Sequence, residues 1–255
     1  MAYPLVIDRS AAESRGKQLI DSLEATMESY PAGIIFPVDK PLHWTSADVV
    51  RKLKFRLQKH FHQKNIKVGH AGTLDPLATG ILLVCVGKAT KMAEELQSHE
   101  KEYVAEIEFG ATTPSYDLEK EIDAIYPTDM LSREAVVNAL EGFIGEQEQV
   151  PPVFSAKMIG GTRAYEYARS GEAVEMKSST ISIYEAELLD YVEQGPAGRP
   201  RASVRLRCSK GTYIRSFARD LGAALGSGAH LTALQRTKSG DFKINNAISL
   251  DFLVS

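Results

Sequence analysis

Cysteine is scarce: Cys85 and Cys208 are the two that occur in 255 residues. They lie far apart and in no CxxC or Cys/His spacing, which excludes a disulfide framework and a common zinc site and favours a reducing compartment, the cytoplasm. No apolar run approaches the roughly 20 residues of a bilayer-crossing helix. The opening "MAYPLVIDRS" lacks the basic-then-apolar pattern of an export signal. There is no GxSxG, GxxxxGK[ST] or HExxH motif and no GxGxxG after the first strand, so the familiar hydrolase, nucleotide-binding and zinc readings have no footing. Repeats and low-complexity tracts are missing as well. What is present is an ordinary globular composition, 44% hydrophobic and 25% charged, enough for one cored domain or for one domain with an appendage.

A second scarcity is local. Between Val49 and Leu74 there is no acid, while Arg51, Lys52, Lys54, Arg56, Lys59, Lys64 and Lys67 supply positive charge beside His60, His62 and His70. Acids then crowd from Glu94 to Asp123. The net charge of -3 argues mildly against a polyanion partner, yet this distribution predicts a signed surface. A basic run is equally a solvated helix face, and charge alone leaves both readings open.

Residues 1–33 read as an N-terminal extension whose Leu19, Ile20, Leu23 and Met27 recur at roughly helical spacing, with Pro31 and Gly33 ending the pattern. "GIIFPVDKP" reads as a strand entering a turn. Thr45 or Ser46 is placed to cap a helix with Val49, Leu53 and Leu57 on one face. Ile66 to Val68 and "ILLVCVG" read as strands joined by the loop "GHAGTLDPLATG", and "KEYVAEIEFG" alternates so that Tyr103, Ala105, Ile107 and Phe109 share a side. Ser132 is placed to cap a helix carrying Val136, Val137, Leu140 and Phe143, and "TRAYEYARSG" reads as a short helix stopped by Gly171. "TISIYEAELLDYVE" and "RASVRLRCS" flank a Gly/Pro-rich turn and predict a hairpin. "GTYIRSFARDLGAALG" follows as a helix with Ile214, Phe217, Ala218 and Leu221 inward. Strands and helices in no regular βαβ order predict a mixed α/β sheet domain.

The loop between the two strands holds a lone carboxylate, Asp75, among glycines and other small residues. Pro76 removes a backbone donor and biases Asp75 toward extended backbone, while Gly69 and Gly72 permit tight turns before it. An Asp there is either a turn-maker that hydrogen-bonds its own backbone or a group aimed at a substrate, and local chemistry does not choose.

"GHAGTLDPLATGILLVCVGKATK" closely resembles the Asp-containing motif of the TruB-type tRNA pseudouridine synthases. The resemblance continues in order through "VDKPLHWTS", "KEYVAEIEFG", "PPVFSAKMIGGTRAYEYARSG", "CSKGTYIRSFARDLG" and "GSGAHLTALQRT", and covers approximately Ile34 to Leu250. It implies an α+β catalytic domain over residues 34–255, built on a long, mostly antiparallel central sheet flanked by helices. It also implies isomerisation of uridine 55 in the T-loop of tRNA, with breakage of the N-glycosidic bond and rejoining through C5. No metal or organic cofactor is needed in that chemistry. Asp75 matches the family's catalytic aspartate, ionised at neutral pH given an ordinary carboxylate pKa of ~3.9, whether it attacks the base, attacks the sugar or promotes a glycal. Arg215 matches the arginine partner of that aspartate, and its alternative is a surface arginine at the start of a helix. Tyr103 matches the tyrosine stacked on the flipped uracil, and His70 the histidine that helps flip the nucleotide. Tyr213 and Leu234 match residues lining the uracil pocket. Judged without the family, Tyr103, Tyr213 and Leu234 are core residues and His70 a loop histidine.

Extruding a nucleotide from a stacked loop has a free-energy cost that binding must offset. The basic segment leading into the Asp75 loop is the expected source, through contacts to tRNA phosphates. Two departures from the family pattern stand out. His43 occupies a position usually held by glycine, and a small C-terminal RNA-binding PUA domain, common in bacterial members, is expected to be missing. A monomer that binds the tRNA T-arm and no membrane is the resulting expectation, with assistance to tRNA folding as a compatible second role. Two other readings are an RNA-binding relative without chemistry and a carboxylate-based glycoside hydrolase using Asp117 as a second acid.

Overall fold

The computed structural model describes residues 3–15, 19–155, 157–170, 172 and 174–254. The chain divides into two compact units, Met1–Tyr103 with Gln235–Ser255, and Val104–Leu234. Strands and helices are mixed in both.

In the first unit, β1 (Leu5–Val6) lies parallel to β2 (Ile34–Lys40). The run "IIFPVDK" is buried at all but one position, as expected of a strand covered on both faces. Helix α1 spans Arg9–Arg15. Helix α2, Ser46–His60, starts from a capping box in which Thr45 accepts from the Asp48 amide and the Asp48 side chain accepts from the Thr45 amide. Val49, Leu53 and Leu57 are fully buried along one side of it, the i, i+4, i+8 stripe that the sequence predicts. Strand β3 (Val68–Ala71) pairs antiparallel with β4 (Ala78–Val86), which also pairs antiparallel with β2. The strand expected at Ile66 to Val68 is displaced toward the loop, since Ile66 and Lys67 lie outside it and it runs from Val68 to Ala71, and the loop around Asp75 shrinks to the six residues from Gly72 to Leu77. Helix α3 (Ala93–Ser98) follows, and the side chains of Ile35, Ile81, Leu83, Cys85 and Leu96 form one core cluster.

Among the described residues of 1–33, the long helix that their spacing suggests does not form. After α1, Leu19, Ile20 and Leu23 are buried on turns, and Met27–Ser29 coils again, as a 3-10 turn. Local side chains offer the backbone other partners, which competes with a helix. The Ser22 hydroxyl donates to the Leu19 carbonyl and the Glu24 amide donates to the Tyr30 hydroxyl. The segment docks on α2, where Arg56 makes two 2.7 Å hydrogen bonds to Asp21.

The chain passes between units inside β5 (Lys101–Phe109), whose inward set from Lys101 through Tyr103, Ala105 and Ile107 is buried. In the second unit, β6 (Ala111–Thr112) and β7 (Ala124–Ile125) pair antiparallel. Helix α4 (Arg133–Glu141) is capped by Ser132, which accepts from the Ala135 amide. Val136 and Leu140 are buried as expected, but Val137 is exposed. Strand β8 (Gly145–Gln149), the short pair β9 (Met158–Ile159) and β10 (Thr162–Arg163), and helix α5 (Ala164–Ser170) follow. The proposed helix stop Gly171 lies outside the described residues. Strands β11 (Ser179–Val192) and β12 (Arg201–Cys208) form the predicted hairpin, with β8 on the other side of β11, all antiparallel. Helix α6 (Ile214–Ala224) buries Ile214, Phe217, Ala218 and Leu221, and Phe217 meets Phe143 edge to face at 5.2 Å. Strand β13 (Ala229–Ser239) returns the chain to the first unit. There β14 (Phe242–Lys243) pairs with it, β15 (Ile248–Ser249) runs parallel to β2, and α7 (Leu250–Val254) ends the fold. Among the described residues, no helix is long and apolar enough to cross a membrane.

Candidate active site

The six residues between β3 and β4 form a turn closed by the main chain, in which the Ala78 amide donates to the Asp75 carbonyl at 3.0 Å. Pro76 sits second in this turn and Asp75 first, the positions those residue types favour. Asp75 itself is half-buried. The turn is held from outside by residues remote in sequence. Ser46, buried at the start of α2, accepts from the Leu74 amide at 2.8 Å and donates to the Leu74 carbonyl at 3.1 Å. The His43 amide donates to the Pro76 carbonyl at 2.8 Å.

Two buried cations frame the same turn. Lys40, fully buried at the end of β2, directs its ammonium at the carbonyls of Trp44 at 2.6 Å and Pro41 at 2.9 Å, with Pro76 at 3.5 Å. Burial lowers its pKa to about 8. The Asp75 carboxylate opposes that fall and the Arg236 guanidinium adds to it. Arg236, 1% exposed on the first unit's part of β13, donates to the Ile81 carbonyl at 2.8 Å and to the Gly72 carbonyl at 3.0 Å. Its own backbone passes so close to Gly80 (φ +99°) that a Cβ there would lie 2.3 Å from the Arg236 carbonyl oxygen. Only glycine fits that position. The Asp75 carboxylate is thus carried on a backbone clamped on both sides, with the buried Lys40 ammonium coupled to it.

His43 takes the left-handed conformation, φ +66°. The turn that glycine would make is therefore kept by a residue with a Cβ, and histidine is among the types that enter this region most often after glycine.

His70 lies on β3, not in a loop. Its Nδ1 is buried and has no hydrogen-bond partner among the described residues. Burial, with Arg236 nearby, pushes its pKa down. Tyr103 is buried on β5, the last residue of the first unit's share of that strand.

The remaining candidates belong to the second unit. Arg215 is 4% exposed in the first turn of α6, a costly place for a cation, since it is desolvated and near the positive end of the helix dipole. Its Nε lies 3.6 Å from Asp117 Oδ2, and its Nη1 donates to the Ser115 carbonyl at 3.3 Å. The surface-arginine alternative therefore fails. Asp117 organises its own loop as well: its Oδ1 accepts from the Glu119 amide at 2.9 Å and its carbonyl accepts from Thr113 at 2.7 Å. Tyr213 is the N-cap residue of α6, and its backbone is pinned by Gln149, which accepts from the Tyr213 amide at 2.8 Å and donates to its carbonyl at 3.1 Å. Leu234 is half-buried at the end of the second unit's share of β13. Sequence reasoning missed Lys40, Ser46, Arg236 and Gln149 as supports. Lys40 and Arg236 sit inside motifs that resemble the family's, but nothing in their local pattern marks them as buried.

Comparison with known proteins places this architecture. The TruB family pseudouridylate synthase N-terminal domain matches residues 58–214, and the tRNA pseudouridylate synthase B C-terminal domain matches residues 215–255. A tRNA pseudouridine synthase B of Phocaeicola vulgatus is 53% identical over 223 residues, 88% of this chain and 92% of that one. Among solved structures, a Cbf5-Nop10-Gar1 complex aligns with a TM-score of 0.63 and 28% identity over 98% of this chain and 56% of its own. An H/ACA RNP bound to a substrate RNA containing 2′-deoxyuridine aligns with a TM-score of 0.59 and 29% identity over 86% of this chain and 51% of its own. The chain spans about half the length of these two structures. It belongs to the TruB family of pseudouridylate synthases, isomerases that convert uridine to pseudouridine.

Proposed function

We propose that this chain converts uridine 55 in the T-loop of tRNA to pseudouridine, with Asp75 as the catalytic carboxylate. The observation that carries the reading is the Asp75 turn: a half-buried acid on a main-chain turn, clamped by Ser46, Lys40 and Arg236 within the motif that resembles the family's. A relative 53% identical over most of the chain bears the name tRNA pseudouridine synthase B, which supports tRNA as the substrate.

In the reaction the N1–C1′ bond breaks and a C5–C1′ bond forms. The proton on C5 is lost and N1 regains one, so the product is an isomer of the substrate. Asp75 supplies the electron pair, at the base or the sugar, or it assists departure of a C2′ proton toward a glycal. Arg215 orients the carboxylate, Tyr103 stacks on the extruded uracil and carries a hydroxyl for the C5 proton, and Tyr213 and Leu234 line the pocket. His70, with a buried ring nitrogen to satisfy, helps flip the target nucleotide. Residues 34–255 form the catalytic domain, and residues 1–33 are an appended segment. The enzyme works where its tRNA is, in the cytoplasm, and release of a rearranged T-arm lets it assist tRNA folding.

The test is single-turnover modification of an unmodified tRNA transcript, with the product nucleotide mapped. Pseudouridine at position 55 and none in a transcript carrying cytidine there is the expected result. Modification elsewhere, or tight binding without product, overturns the reading.

A further inference from the structure

The proposed chemistry at Asp75 leaves a groove on α2 unexplained. A cavity of about 490 Å³ is lined by His43, Trp44, Asp48, Arg51, Lys52 and Phe55. The four helical residues stand at i, i+3, i+4 and i+7, so they share one face. That face is distinct from the buried stripe of Val49, Leu53 and Leu57. Phe55 is 70% exposed. A lone exposed aromatic is ordinary on a protein surface, but this one shares its groove with the half-buried Trp44 and with two cations. Asp48, the one acid present, is engaged by the helix cap and by Arg51, 2.8 Å away. Arg51 keeps further N–H donors, and Lys52 is exposed. Aromatic faces flanked by cations are the chemistry that holds an unpaired nucleotide, base on ring and phosphate on charge.

The groove is also tied to the Asp75 turn. Its His43 wall donates to the Pro76 carbonyl at 2.8 Å, and the carbonyl of its Trp44 wall accepts from Lys40 at 2.6 Å. We propose that this groove is a second nucleotide subsite, in which an unpaired nucleotide of the same RNA stacks on Phe55 and Trp44 while its phosphate meets Lys52 and Arg51. The inference rests on the RNA-substrate reading and deepens it. It assigns to the outer face of α2 a stacking contact that helps hold the RNA open while the target base is out of its stack.

Trp44 is the one tryptophan of the chain, so its emission reports on the groove. A T-arm RNA hairpin is titrated into wild type, Phe55→Ala and Phe55→Tyr, with circular dichroism as the control for folding, and the titration is repeated with hairpins carrying one abasic nucleotide at each loop position. The expected result is quenching of Trp44 on binding, about tenfold weaker binding by Phe55→Ala, and near-normal binding by Phe55→Tyr. One abasic position should weaken wild type by a similar factor and add little to the defect of Phe55→Ala. Equal affinity of wild type and Phe55→Ala, emission indifferent to RNA, or the lack of any coupled abasic position overturns the subsite. Emission that changes with protein concentration but not with RNA assigns the groove to a second copy of the chain and overturns it too. Pseudouridine formation by wild type is measured on the same hairpin. If product forms and the groove signals fail, the subsite alone is wrong, whereas lack of product sinks the substrate reading beneath it.

Discussion

Asp75 and Asp117 are both acids in short connections between strands, one in each unit, and the surroundings of the two differ in kind. Around Asp117 the acid is the organiser: its carbonyl collects Thr113 and Ser115, its Oδ1 takes the Glu119 amide, and its Oδ2 faces Arg215. Around Asp75 the backbone is organised by others, with Ser46, Lys40, His43 and Arg236 all binding main-chain atoms of the turn. One acid holds its loop, and the other is held by its loop. A group meant to react must be positioned by interactions that survive a change in its own charge, and clamps on neighbouring backbone atoms meet that condition.

The sharpest way to break this contrast is a pair of isosteric changes. Asp75→Asn should lower single-turnover pseudouridine formation by about 10³-fold or more while RNA affinity stays near wild type. Asp117→Asn should act first on stability, because a carboxylate facing a buried guanidinium is removed. A decrease of about 3 kcal/mol in denaturant unfolding is expected. If the two variants show the same profile, the distinction between holder and held is wrong.

The basic run invites the next comparison, between cations already paired within the fold and those that face outward. Arg56 is taken by Asp21, whereas Arg51 gives one N–H to Asp48 and keeps the rest of its exposed guanidinium facing outward. Combined reversal of Lys52, Lys59 and Lys64 to glutamate should weaken tRNA binding by at least tenfold in low salt, and the slope of log affinity against log salt should flatten by about one for every phosphate no longer neutralised. An unchanged slope would make the run a solvated face.

A smaller effect concerns the clamp itself. Lys40 has its pKa lowered to about 8 against an ordinary 10.5, so between these pH values the unfolded chain binds more protons than the folded one. Stability then rises with pH across that window, and below it the buried charge is a standing cost. The contribution of Cys85 has the opposite sign: burial pushes its thiol up to about 11 from 9.0, and stability falls across that interval. Unfolding of wild type and Lys40→Met, compared from pH 7.5 to 10, should diverge with the wild type gaining. Parallel curves would mean that Lys40 is not the titrating group.

The smallest change is expected at His43. Its left-handed backbone costs about 1–2 kcal/mol in a residue with a Cβ, and glycine would relieve this while adding unfolded-state entropy worth about 0.5–1 kcal/mol. His43→Gly should therefore shift unfolding by about 0–1.5 kcal/mol toward greater stability. A large decrease would show that the imidazole itself supports the turn.

Much of the fold is legible in the sequence. The cap and inner stripe of α2, the hairpin of β11 and β12, and the inward face of α6 follow from periodicity and turn chemistry, because each is decided by residues a few positions apart. The N-terminal segment shows where such reasoning stops. Leu19, Ile20 and Leu23 have helical spacing and are buried as that spacing suggests, yet they sit on turns, since burial in the fold outweighs a weak local propensity. The site divides in the same way. The loop around Asp75 could be singled out from its composition and its likeness to a family motif. The clamps could not, because Lys40 and Arg236 come from 35 or more positions away and look like ordinary surface cations in sequence.

By itself the sequence determined the class of fold, the main helices and strands, and which carboxylate to question. Tertiary structure alone decided that Lys40, Arg236 and Arg215 are buried, that Asp117 serves its own loop, and that Trp44, Arg51, Lys52 and Phe55 line one groove. The physical reason is range. Helix caps, turns and alternation arise from backbone geometry over a few residues, whereas desolvation and charge coupling depend on which distant segments close around a group.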